Sequence, residues 1–166
     1  MSGNDDHRVV ALGRWTEFVL FGTGEDARIA PLTRRLVAEC APEAVTLARK
    51  GGGEVIFSRL APRTHIRSHC GPTDLRWTAH LPLRVPKAKG CRIRVGHRWH
   101  EWQLGKVLLF DDSFEHKVCN DTNEERIVLL LRFWHPGLDL SHRSACLDDA
   151  RRLKGEAVDK RYHPAP

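Results

Sequence analysis

Between residues 54 and 133 apolar and β-prone positions gather in short runs set apart by polar turn residues, a pattern that predicts strands. The expected strands are 16–21, 54–59, 76–84, 91–95, 98–103, 106–110, 116–119 and 126–134. Glycine-containing turns at Gly96-His97 and around Gly105 suit tight hairpins between neighbouring runs. Residues 31–40 follow a different period. Leu32, Leu36, Val37 and Cys40 share one helical face, with Arg34, Arg35 and Glu39 largely on others. Pro31 stands near the start, where a missing N–H costs least. Gly51-Gly52-Gly53 then returns the chain to the sheet. After Trp134-His135-Pro136-Gly137 the chain turns polar, and residues 144–157 are expected as a peripheral helix with little beyond Leu147 and Leu153 to bury. The pattern is that of a barrel or sandwich.

A chain of 166 residues is the size of one domain and can enclose a small-molecule pocket. Lys and Arg number 27 against 21 Asp and Glu, a formal charge of +6. No basic run is interleaved with aromatic residues as a single-strand binder needs, so nucleic acid is not an expected partner. The cysteines at 40, 70, 91, 119 and 146 are scattered singly, without a C-x-x-C pair, and are expected to be free thiols. The N-terminus has no apolar stretch resembling a secretory signal, and no segment approaches a membrane span. A soluble, reducing compartment such as the cytoplasm is the expectation. The sequon at Asn120-Asp121-Thr122 argues weakly against it.

Two of the ten histidines stand apart. His69 lies in Ser68-His69-Cys70-Gly71-Pro72-Thr73, and His116 ends the polar turn Asp111-Asp112-Ser113-Phe114-Glu115 that follows an apolar run. Both sit where a barrel mouth would carry its functional loops. A 2-His-1-carboxylate triad holds Fe(II) by three positions and leaves three for a 2-oxoacid and O₂. In many such sites the carboxylate follows the first histidine by two residues. Here that residue is Gly71.

The segments His69-Cys70-Gly71-Pro72-Thr73, Arg76, His80-Leu81, the run from Gly105 through Phe110-Asp111-Asp112-Ser113-Phe114-Glu115-His116, Arg126 and Trp134-His135-Pro136 resemble, in order and spacing, the aspartyl/asparaginyl β-hydroxylase family. The resemblance runs from about Trp15 to Leu138. It implies a mainly β, double-stranded β-helix (jelly-roll, cupin-like) domain over residues 15–140, preceded by a polar extension, 1–14, and followed by a peripheral tail, 141–166. It also implies an Fe(II)- and 2-oxoglutarate-dependent dioxygenase that uses O₂ to hydroxylate an aspartyl or asparaginyl side chain. The family likewise has glycine at the position of Gly71 and binds iron through two histidines, so His69 and His116 are the implied metal ligands. Asp112 matches the family carboxylate that hydrogen-bonds a water on the metal; by itself it reads equally as a turn residue. Arg126 and Ser58 match the residues that hold the distal carboxylate of 2-oxoglutarate, and His80 a residue near its oxoacid end. Arg76 resembles the residue that pairs with the substrate side chain. Taken singly, Arg126, Ser58 and His80 read as a surface arginine, a strand serine and a core histidine. The chain departs from the family at Thr78, where a second arginine near the cosubstrate is usual.

Trp99, Trp102, Phe133 and Trp134 are expected in packing roles, and Arg92 and Arg94 on a solvated strand face. Spacing alone supports a metal-binding β-barrel with an anion site. Two other readings remain open: a non-catalytic barrel of the same fold that binds a metal or ligand, favoured by Thr78, and a cupin-like enzyme working without 2-oxoglutarate. The substrate class is open among a peptide, a protein loop and a free amino acid, as is the oligomeric state.

Overall fold

A computed structural model describes residues 9–148. Ten strands form two five-stranded antiparallel sheets packed face to face. The larger runs β2 (Trp15–Phe21), β3 (Val55–Leu60), β10 (Arg126–Trp134), β5 (Arg76–Arg84) and β8 (Leu108–Phe110). The smaller runs β1 (Val10–Leu12), β4 (Thr64–His69), β9 (His116–Asn120), β6 (Cys91–Val95) and β7 (Arg98–Glu101). This is a double-stranded β-helix. Ile56, Leu60, Val128 and Leu130 from the larger sheet meet Ile66, Cys91, Ile93 and Val118 from the smaller, with Trp102 sealing the layer between them. The inward-facing residues of the two sheets thus share one common interior.

The outer face of the larger sheet is covered by α1 (Pro31–Cys40) and α2 (Pro42–Arg49), each with proline in its first turn. Helix α2 does most of the covering: Ala44, Val45, Leu47 and Ala48 are buried, the first, second and fourth against Leu20, Phe21, Val55, Leu129 and Leu131. This corrects the face expected for α1, of which only Val37 is buried, while Leu32, Leu36 and Cys40 are exposed. With α2 occupying the sheet, α1 is left to touch it through one edge.

Two strands were not expected from the sequence. β4 reads Thr-His-Ile-Arg-Ser-His, with one strongly apolar residue, because its inward positions include Thr64, whose cross-strand partner is Asn120. β1 pairs with β4 at the sheet edge. The hairpin turns fall where expected: Gly96 (φ 55°) joins β6 to β7, and Gly105 (φ 72°) lies between the bridged Gln103 and Lys106.

Residues 143–148 are helical, and Leu147 is buried against Leu47 and Trp134. The remainder of the expected helix 144–157, from residue 149 onward, lies outside the described residues. The five cysteines are free. Among the described residues no helix is long and apolar enough to cross a membrane.

Candidate active site

His69 is the last residue of β4 and His116 the first of β9, and the two are cross-strand partners. A β-bulge produces this pairing. Ile66 opposes Val118, yet His69 opposes His116, so three steps along β4 match two along β9. In a regular strand the residue three beyond inward-facing Ile66 would point outward. The extra residue turns His69 to the same side as His116, and the imidazole centroids stand 4.1 Å apart.

Each ring is fixed through Nδ1. His69 Nδ1 lies 2.8 Å from the Arg67 carbonyl and His116 Nδ1 lies 2.9 Å from the Phe114 carbonyl. A carbonyl only accepts, so in both rings Nδ1 carries a hydrogen and Nε2 is the nitrogen left to ligate. Burial lowers the pKa of His116, and neighbouring His69 and Arg132 act in the same direction, outweighing the bond to Phe114 and the Asp112 carboxylate, which raise it. The ring is therefore held neutral, the form a metal requires.

Gly71 is in close contact with Asp112. Its N–H donates to the Asp112 carbonyl at 2.6 Å, and a Cβ at residue 71 would lie 2.7 Å from Asp112 Oδ1 and 2.8 Å from its Cγ. The space a residue-71 carboxylate would need is filled by the carboxylate of Asp112. Asp112 is buried, with Oδ2 facing Arg132 Nη2 at 3.4 Å and Arg76 Nη2 at 3.7 Å, while Oδ1 has no partner. Among the described residues no group of three or more His, Cys, Asp or Glu side chains is gathered closely enough to hold a metal by itself.

Deeper in the interior lie the residues matched to the 2-oxoglutarate pocket. Val128 pairs with Ser58 and Leu130 with His80, so Arg126, Ser58 and His80 face inward from three adjacent strands. Two tryptophans set their polarity. Trp15 Nε1 donates to Ser58 Oγ at 2.9 Å, and Arg126 Nη1 approaches the same oxygen at 3.4 Å, which leaves the serine hydroxyl hydrogen to be donated elsewhere. Trp102 Nε1 donates to His80 Nδ1 at 3.2 Å, so the His80 proton sits on Nε2. Burial first, then Arg126, Arg132 and His116, push the His80 pKa well below its ordinary value and keep the ring neutral. Arg126 is 2% exposed, its guanidinium lies 4.7 Å from the Trp102 ring centroid, and burial brings its pKa down to about 10. The available groups are all donors, which suits an anion.

Arg76 is buried, donates to the Gly52 carbonyl at 2.9 Å and has its pKa lowered to about 10 by burial and by Arg132. Buried polar atoms without partners gather in this interior: Arg76 Nε, Thr78 Oγ1, Asp112 Oδ1, Arg126 Nε and Arg132 Nε. Such atoms are rare unless a ligand or water meets them. An open depression of about 350 Å³ on the outer face of the smaller sheet, lined by Arg67, Arg92, Trp99 and Lys117 among others, shares none of these residues. The sequence reading missed Arg132, Trp15 and Trp102 as contacts of the site. Nothing in spacing marks an indole N–H as the partner of a particular acceptor.

Fold and site together define a cupin-type double-stranded β-helix with two paired imidazoles at one end of its interior and the buried side chains of Arg126, Ser58 and His80 in the same interior. A solved Thermotoga maritima protein described as a predicted oxalate decarboxylase shares the fold, with a TM-score of 0.52 over 81% of this chain and 94% of that one, at 9% identity. The sequence model of the aspartyl/asparaginyl β-hydroxylases matches residues 2–136. Human aspartyl/asparaginyl beta-hydroxylase is 38% identical over 143 residues, covering 84% of this chain and 18% of the relative. Human aspartate beta-hydroxylase domain-containing protein 2 is 34% identical over 140 residues, covering 80% of this chain and 37% of the relative. The chain belongs to the aspartyl/asparaginyl β-hydroxylase family. It spans well under half the length of these relatives.

Proposed function

We propose that the chain is an Fe(II)- and 2-oxoglutarate-dependent oxygenase that hydroxylates the β-carbon of an aspartyl or asparaginyl side chain in a peptide, protein or small amino-acid substrate. The observation that carries this reading is the pair of imidazoles, both with Nδ1 committed to a carbonyl, in the same interior as the buried donors Arg126, Ser58 and His80. The donor set fits the metal, since neutral imidazole suits iron and the unpartnered Asp112 Oδ1 is an acceptor for a water ligand. His69 and His116 would hold Fe(II). When bound with O₂, it would supply the oxidising chemistry by which 2-oxoglutarate becomes succinate and CO₂ while one oxygen atom enters the substrate C–H bond.

The chain's own residues orient the two organic partners. Arg126 and the Ser58 hydroxyl would take the distal carboxylate of 2-oxoglutarate, and the Nε2–H of His80 would reach toward its oxoacid end. Arg76 has an unpaired Nε for the substrate carboxylate or amide. Burial strengthens each of these contacts, because water does not compete for the charges.

Succinate formation from 2-oxoglutarate with Fe(II) and ascorbate tests the cosubstrate, and a one-oxygen mass gain in aspartyl and asparaginyl peptides or free amino acids tests the substrate. Wild-type protein should form succinate, and His69→Ala or His116→Ala should not. Metal or 2-oxoglutarate binding without succinate or any mass gain across the panel would favour the non-catalytic barrel, for which the buried, unpartnered Thr78 Oγ1 is the supporting observation.

A further inference from the structure

The departure at Thr78 has a structural counterpart on the neighbouring strand. Thr78 is the cross-strand partner of Arg132, so the two side chains leave the same face of the sheet roughly 5 Å apart. Thr78 is 1% exposed. The Arg132 guanidinium passes into the interior, forming ion pairs with Glu54 through Nη1 and with Asp112 through Nη2. Its stem runs against Gly53, where a Cβ would lie 2.8 Å from Arg132 Cβ. Residue 53 must therefore be small for Arg132 to enter. Arg76, two residues before Thr78 on the same strand face, already approaches Asp112 Oδ2. An arginine at 78 would add a third guanidinium around one carboxylate. A cation fits at 78 or at 132, and this chain has it at 132.

We propose that Arg132 is a positioning residue that delivers across the strand the cation missing at position 78, and that it holds Asp112 by Oδ2 so that Oδ1 stays against Gly71, beside His69. Glu54 anchors the other edge of the guanidinium, which keeps Arg132 in place when an acidic substrate engages Arg76. Loss of Arg132 would leave Asp112 with only its longer contact to Arg76. This inference rests on the metal-dependent reading given above.

The test uses the full-length protein and Co(II) as the probe metal, with affinity measured by calorimetry and coordination read from the visible d–d spectrum. Arg132→Met should weaken Co(II) binding about 10- to 100-fold, as loss of a partner that orients a metal site does, and should alter the spectrum. In an Asp112→Asn background the same substitution should add little, because both changes break one contact. The exchanged double variant Thr78→Arg/Arg132→Thr should recover most of the wild-type affinity and spectrum, even if Arg132→Met alone folds poorly. Wild-type Co(II) binding in Arg132→Met, full additivity with Asp112→Asn, or no recovery in a folded exchanged variant would each overturn the assignment. Wild-type protein that takes up no Co(II), or whose uptake survives His69→Ala, would instead bring down the metal reading, and this inference with it.

Discussion

Replacing Gly71 by alanine tests whether the lack of a carboxylate two residues after His69 is a matter of chemistry alone or also of space. The added methyl would sit 2.7 Å from Asp112 Oδ1, 2.8 Å from its Cγ and 2.9 Å from its carbonyl oxygen. Two of these atoms belong to a buried side chain already facing two arginines, and the third is backbone that bonds the residue-71 N–H. Neither can yield freely, so the cost should be that of overpacking a filled interior, about 1–3 kcal/mol. For a chain of this size that lowers Tm by about 2–12 °C. The backbone at Gly71 is not left-handed, so the whole penalty comes from the clash. Urea unfolding of Gly71→Ala, Asp112→Gly and the double variant gives both the cost and its origin. Removing the Asp112 side chain clears two of the three close atoms, so Gly71→Ala should cost less in the Asp112→Gly background than in wild type. A Gly71→Ala protein within about 0.5 kcal/mol of wild type, the range of an ordinary surface change, would refute the steric argument.

Arg126→Ala should raise the 2-oxoglutarate requirement by roughly 30- to several-thousand-fold, the equivalent of about 2–5 kcal/mol for a truncated buried charge pair, while Co(II) affinity stays near wild type. Arg126→Lys should recover little, since an ammonium lacks the planar fork, and unchanged 2-oxoglutarate affinity in either variant would contradict the pocket assignment. Because the folded-state pKa of His80 is depressed, the unfolded chain binds a proton that the folded chain refuses, so this stability is full above about pH 6.5 and is lost on acidification at up to about 1.4 kcal/mol per pH unit. His80→Gln should make stability between about pH 6.5 and pH 5 fall less steeply; an identical slope would show that His80 protonates freely in the fold. Leu147→Ala should destabilise the protein by about 2–5 kcal/mol through the cavity left against Leu47 and Trp134, and a loss below about 0.5 kcal/mol would show that this end of the chain is not docked there.

Strands rich in apolar and β-branched residues between turn residues were legible in the sequence: β2, β3, β5, β6, β9 and β10 lie within a residue or two of their expected limits. β4 was hidden because polar residues share its interior positions with Ile66, and α2 because Pro42 stands two positions after the end of α1 and reads as a break. The residues of the candidate site were found by their order along the chain and its family resemblance. Their arrangement was not. The bulge that turns His69 inward, the packing of Gly71 against Asp112 and the entry of Arg132 across the strand from Thr78 all arise from register between strands far apart in sequence. Periodicity within one strand contains no information about that register.

The placement of Trp102 makes the pocket optically self-reporting. Its indole lies under the Arg126 guanidinium and bonds His80, both in the buried interior. Indole emission depends on the electric field across the ring, and a guanidinium 4.7 Å from the centroid is a strong local source of that field. A dicarboxylate that neutralises the cation would change the colour or yield of the emitted light. Occupancy of the proposed 2-oxoglutarate site would then be visible in the emission of unlabelled protein.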